Sequence, residues 1–563
     1  MPAIFQDAMA RSFLWVVLQV CIISLSGCGT GPTVVVFRNA KPAATPSGPP
    51  PPPETTDDAL AAAGSVPAHK TLVSTTVAEP ASEENPAKGK NKKTKKRTEP
   101  MATSGAAPLD AAAARKITEA IQESVDLGPT LAVWLLDRTS SARQIVGEVA
   151  YVAQNFYDSP EIAALNAGDS NRLLTAVIAF DDKVEFLLDP PSGDAAKVHS
   201  TFEEIQTTSA SREHLFAAVK QALEKYLPLR SKDHRQILFI VATDEAGDDG
   251  QLVDGLIEPL RKHAIPLYAV GLQAPWGQSN PFAANPKAIP ASQDERQPTV
   301  GPETLFSERV DIESRLNIDL VDSGYGPFAL ERLCRASYGQ FVALHAFPGS
   351  RGANTKFWPT GTEMRFDNKV LSKYAPDYIS AAAYEKSLLE NKAKAVIVEA
   401  AKLPKFKMDG QPGLRFQKDA EAKMATKLSE AQRYAARNSP AVEQLVELLS
   451  KGEKDRGKLN SARWQAEFDL TFGRVLAIKT RLDGYNSMIA ALKRGKTFQN
   501  ADSKAWMLEP ADNYETESTI KRQADKAKMY LERVVHDHPG TPWAKIAEDE
   551  LKTPLGWSWR ESP

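Results

Sequence analysis

Residues Leu131 to Leu136 form a short run without a polar side chain. Such a run fits a central parallel strand covered on both faces. Leu173 to Phe180 and Lys183 to Leu187 are two further strand-like runs separated only by Asp181-Asp182. That gap is too short for a helical crossover, so an antiparallel hairpin is predicted. Between Ser211 and Tyr226 the apolar residues Leu215, Phe216, Val219, Ala222 and Leu223 recur at helical spacing and feed the strand Gln236 to Ala242. A helix over Leu252 to Lys262, a strand over Ile265 to Val270 with a turn at Gly271, a helix from about Phe328 to Ala336 and a strand over Gln340 to Leu344 complete the pattern. Strands alternating with amphipathic helices across 110–345 predict an α/β fold with a doubly wound, mostly parallel sheet.

Other stretches read differently. Ala274 to Ser323 is rich in Pro, Asn and Gln, and a loop of that length is expected to be functional or disordered. Beyond Pro348 the chain turns to Ala, Lys, Glu and Leu with no strand-like interruption, predicting an all-α region over 365–563. Near its end, Ala524, Ala527, Tyr530, Leu531 and Val534, then Ala544 to Leu551, predict two antiparallel helices joined by His538-Pro539-Gly540-Thr541-Pro542. The pair resembles one tetratricopeptide-type hairpin, but no repeat at fixed period accompanies it, so a single capping hairpin is expected. His536 and His538 are expected at the surface. Trp557 and Trp559 are expected to pin the terminal segment onto the preceding helices.

Composition changes the picture mainly at the N-terminus. Residues 28–108 are dominated by Pro, Ala, Ser, Thr and Lys, with the run Pro49 to Pro53 and few aromatic residues. Such a segment cannot bury enough apolar area to offset its ordering entropy, and a disordered tether is expected. Seven positive charges between Lys88 and Arg97 read as a solvated stretch of it. The 13 apolar-rich residues Phe13 to Leu25 follow Arg11 and fall short of the roughly 20 needed to span a bilayer, so 1–27 reads as a cleaved export signal. The run ends in Leu25-Ser26-Gly27-Cys28, which resembles the bacterial lipobox. That resemblance implies lipidation at Cys28, anchoring to the cell envelope and loss of Cys21 with the signal. Cys334 is left as a lone thiol, expected to behave as a small buried hydrophobe. Lys+Arg at 69 against Asp+Glu at 71 leaves a formal charge of -2, so no global field favours nucleic acid.

The chemistry gathers where open α/β sheets bind ligands, at the carboxyl ends of the strands. Asp137-Arg138-Thr139-Ser140-Ser141 follows the first strand directly. Asp137, Thr139 and Ser141 can therefore converge from one loop, as a hard cation requires. A further oxygen is available from Thr207, Thr208 or Ser209 before the middle helix, and a carboxylate from Asp244 after the strand Gln236 to Ala242. Asp-x-Thr-x-Ser, a hydroxyl before a middle helix, and Thr-Asp after the later strand resemble the metal-ion-dependent adhesion site of von Willebrand factor type A (vWA) domains.

The resemblance covers about 110–345. It implies Mg²⁺, or Mn²⁺ or Ca²⁺, held by Asp137, Thr139, Ser141, Ser209 and Asp244, with an open position for a carboxylate of a protein partner. Glu245 stands where that family commonly has glycine. The competing expectation is that Asp137 and Ser141 are only helix caps. His-Glu-x-x-His, Gly-x-Ser-x-Gly and phosphate-loop motifs are missing, and binding rather than catalysis is expected. The alternative to an adhesion module is a structural envelope lipoprotein with a vestigial site, in which the helical region carries the interactions.

Overall fold

The computed structural model describes residues 111–167, 171–210, 212–277, 302–316, 321–344, 366–500, 502–512, 514 and 518–563. The expected signal, the tether and Cys28 lie outside them. Strand β1 (Thr130–Asp137), preceded by helix α1 (Ala111–Leu127), is buried at all eight positions. It pairs in parallel with β2 (Leu173–Phe180) on one side and β4 (Gln236–Ala242) on the other. Between them run α2 (Arg143–Tyr157), α3 (Pro160–Leu165), β3 (Val184–Ser192), α4 (Ala195–Glu204) and α5 (Leu215–Lys232). After β4 come α6 (Val253–Lys262), β5 (Leu267–Leu272), α7 (Phe328–Ala336) and β6 (Phe341–Leu344). The sheet order is β3-β2-β1-β4-β5-β6, and only β3 runs antiparallel, as the short hairpin predicts.

Alternation along β1 sorts the two faces. Ala132, Trp134 and Leu136 point into a core shared with α1, α2 and α4, whereas Leu131, Val133 and Leu135 meet α5, α6 and α7. Burying each large aliphatic or aromatic side chain contributes about 1.5–3 kcal/mol, so a strand apolar on both faces has no stable alternative to the centre of the sheet. Register then positions the site. Thr130 lies opposite both Leu173 and Gln236, so β1, β2 and β4 stay in step and end at one edge.

The C-terminal region contains α8 (Asn368–Leu371), α9 (Ala381–Glu390), α10 (Lys392–Ala401), α11 (Glu421–Ser450), α12 (Ala462–Lys493), α13 (Ser518–Asp537) and α14 (Pro542–Leu551). Helix α12 is buried around nearly its whole circumference, as befits a helix enclosed by α11, α13 and α14. Its buried charged side chains have partners. Asp469 lies between the guanidinium groups of Arg456 and Arg533, and Glu467 accepts the Trp543 indole N–H at 2.7 Å. The expected terminal hairpin is α13 and α14, and Cys334 is buried. Among the described residues no helix is long and apolar enough to cross a membrane.

Three expectations are corrected. The region is helical but not free of strands, because β7 (Arg415–Gln417), β8 (Ala505–Ala511) and β9 (Gly556–Ser562) form an antiparallel sheet. Trp557-Ser558-Trp559-Arg560 alternates with period two, a strand signal that so short a segment carries weakly. Trp557 still pins the terminus by donating to the Arg481 carbonyl at 2.8 Å. Second, the β5–α7 connection, expected to be functional or disordered, is in its described residues partly core. Trp276, Val310, Ile312 and Val321 belong to the core of the helical region, and Trp276 meets Trp543 edge to face at 5.1 Å.

Third, His538 is not at the surface. It is 2% exposed, and its Nδ1 lies 3.1 Å from the Tyr374 hydroxyl, whereas His536 is exposed. Burial, with Arg456 and Arg533 nearby, lowers its pKa below the usual 6.5 despite Asp537 and Asp469. The unfolded chain therefore takes up a proton that the folded chain resists, and stability falls as pH drops below about 6.5. Thermal melts between pH 8 and pH 5 should show His538→Gln losing less stability on acidification than the parent. An equal acid dependence would contradict this.

Candidate metal centre

Asp137 ends β1 with no exposed surface. Its Oδ1 accepts the Thr139 backbone N–H at 2.8 Å, and its Oδ2 accepts the Thr243 hydroxyl at 2.8 Å. The first bond curls the loop back on itself, and the second ties it to the end of β4. Thr139 is 3% exposed, with its Oγ1 at 3.0 Å from the Ser141 Oγ. Ser141 itself is exposed. Arg138 forks onto Asp181 at 2.9 and 3.2 Å, holding the loop against the β2–β3 turn. Helix α2 is flanked by Ala142 without a side-chain cap, so the cap-only expectation for Asp137 and Ser141 does not hold.

The loop before α5 departs from expectation. Ser209 is exposed, and Thr208 donates its hydroxyl to Asp181 at 2.9 Å. The residue that reaches the centre is Glu213, 4% exposed, with an oxygen 3.4 Å from the Thr139 hydroxyl that donates to it. A search restricted to hydroxyls passes over it. The available signal is its place just before Leu215, the first buried residue of α5.

The acidic run after β4 holds this arrangement. Asp244 is 4% exposed. Asp248 accepts the Glu213 N–H at 3.1 Å and returns its own N–H to the Glu213 carbonyl at 2.9 Å. Asp249 accepts the Phe216 and Ala217 N–H groups at 3.0 and 2.7 Å, satisfying donors at the start of α5 where the helix dipole favours negative charge. The turn that brings Asp248 back passes through Gly247 at φ +76°, where an added Cβ would lie 3.0 Å from the Leu215 Cβ. Gly247→Ala is expected to cost about 1–2 kcal/mol from the left-handed backbone alone, measured by urea unfolding. A loss below about 0.5 kcal/mol would show that the turn relaxes without it.

Asp137, Glu213 and Asp244 each place a carboxylate oxygen within 4.8 Å of the others, all three buried. Burial, then the charges of Asp137, Glu245, Asp244 and Asp248, push Glu213 up to about 12. Burial also raises Asp137, although hydrogen bonds with Thr139, Thr243 and Glu213 oppose it. Three buried carboxylates this close together are costly unless a proton or a cation joins them. The donor set of carboxylates and hydroxyls, without nitrogen or sulfur, fits a hard cation of the Mg²⁺, Mn²⁺ or Ca²⁺ class.

No family model matches the chain, and no curated protein is significantly similar to it. Among solved structures, the chain is similar to a conserved hypothetical protein, BatB, from Bacteroides thetaiotaomicron. That likeness is 17% identical over 40% of this chain and 96% of the other, with TM-score 0.25. It is also similar to the SpRpn10 VWA domain, 10% identical over 42% and 98% of the respective chains, TM-score 0.22. A third likeness is to proximal thread matrix protein 1 from the mussel byssus with a zinc-occupied MIDAS motif, 14% identical, TM-score 0.21. It spans 26% of this chain and 36% of that one. The chain has a mostly parallel six-stranded α/β sheet with a buried oxygen cluster at its carboxyl edge and a C-terminal helical region.

Proposed function

We propose that this chain is an envelope-anchored binding protein, not an enzyme, whose vWA-like domain engages a protein partner through a divalent cation. Asp137, Glu213 and Asp244 would hold the cation, with the Thr139 and Ser141 hydroxyls completing the oxygen set. The observation that carries this is the cluster of three buried carboxylates whose oxygens lie within 4.8 Å of one another. A cation there supplies an electrophilic point at which a partner's oxygen can dock. The chain's own groups orient that point. Thr243 and the Thr139 N–H fix both Asp137 oxygens, and Asp248 fixes the Glu213 backbone. Anchoring rests on the sequence Leu25-Ser26-Gly27-Cys28.

The test is a Mg²⁺ and Mn²⁺ titration of the full chain by calorimetry beside Asp137→Ala. Saturable binding that the variant loses supports a cation-dependent module. Absence of binding in the parent overturns it.

A further inference from the structure

At the loop before α5 the vWA resemblance implies a hydroxyl, and the fold delivers the carboxylate of Glu213 instead. The difference is one full negative charge. Three carboxylates that give up their protons to the cation carry −3, so a bound divalent cation leaves the site at −1 rather than neutral. Nearby charge deepens the deficit. Glu245 is half-buried beside Asp244, and Asp248 is exposed with its carboxylate held against the Glu213 N–H. The cationic side chain on the loop from Asp137 to Ser141, Arg138, is already forked onto Asp181 and bound to Glu185.

We propose that Glu213 is the specificity-determining residue of this site, setting its open position to take a neutral oxygen donor of the partner, an amide carbonyl or a hydroxyl, and to disfavour a carboxylate. This rests on the cation-site reading and changes the partner chemistry expected from the family resemblance. A partner carboxylate would be the fourth in one buried cluster, where like charges a few ångströms apart repel far more strongly than in water. A carbonyl or hydroxyl adds an oxygen without adding charge. The backbone clasp between Glu213 and Asp248 keeps the glutamate from swinging out when a partner arrives.

Acetate serves as the carboxylate probe, with Mn²⁺ as the cation and the full chain as the protein. Water-proton relaxation reports the water retained on bound Mn²⁺, and acetate that displaces it lowers the enhancement. The parent is compared with Glu213→Thr and with Glu213→Gln, whose near-identical shape guards against a folding defect, at sodium chloride matched to the acetate. The expected result is that acetate lowers the enhancement in the variants at a concentration about tenfold or more below that needed in the parent. If the parent binds Mn²⁺ and responds to acetate as readily as both variants, the assignment of Glu213 is overturned while the cation site stands. If the parent binds no Mn²⁺, the cation site falls and this inference with it.

Discussion

Replacing Arg463 with alanine is expected to cost about 3–5 kcal/mol of folding stability, read by urea unfolding of the full chain. Arg463 is 4% exposed and bridges Glu303 at 2.7 Å and Glu308 at 2.9 Å, which are themselves 0% and 4% exposed. Tyr384 donates to Glu308 at 2.8 Å, and the Gly277 N–H donates to Glu303 at 2.9 Å. Both glutamates lie in the β5–α7 connection, whereas Arg463 begins α12. Removing it strands two buried carboxylates at the seam where that connection enters the helical core. The pair's worth and the damage of breaking it are different quantities, because desolvation already offsets much of the attraction. Arg463→Met combined with Glu303→Gln and Glu308→Gln should therefore recover most of the loss. A cost below about 1 kcal/mol for the alanine variant would place the cluster among pairs that water still screens.

Much of this architecture is legible in the residues because the decisive signals are local. An unbroken apolar run such as Leu131 to Leu136 has one stable home, and the two-residue gap after Phe180 allows only a hairpin. Asp137 and Asp244 are legible for the same reason, since one closes a central strand and the other stands two residues past the next. What escapes is whatever depends on a long-range partner. His538 is hidden because burial of a polar ring depends on Tyr374, far away in sequence. The small sheet is hidden because β7 has only three residues and β8 and β9 recognise each other across α13 and α14. Trp276 and Val310 sit within the limits of the first sheet in sequence but in the core of the helices in space. Glu213 is the instructive miss. The loop is correctly placed, but which of its oxygens turns inward is decided by Asp248 and Asp249 on another loop.

Saturating cation is expected to stabilise the parent by about 2.7 kcal/mol at a hundred times its dissociation constant, an increase that Asp137→Ala and Asp244→Asn should lose. The size at a fixed multiple of the dissociation constant is general; where in the fold it is felt reflects the construction of this edge. Three buried carboxylates within 4.8 Å burden the fold until a positive charge joins them. Their loops are not independent. Thr243 links Asp137 to the end of β4, and Asp248 with Asp249 fastens the acidic run to Glu213 and the start of α5. A cation that favours this closed arrangement therefore favours β1, β4 and α5 together, and its effect should appear in global unfolding rather than in loop mobility alone. Thermal and urea unfolding with Mn²⁺ and with a chelator measure it. An Asp137→Ala chain stabilised as much as the parent would mean that the cation acts elsewhere. A parent that gains nothing would mean that the carboxylates are balanced by protons and the centre is a structural remnant.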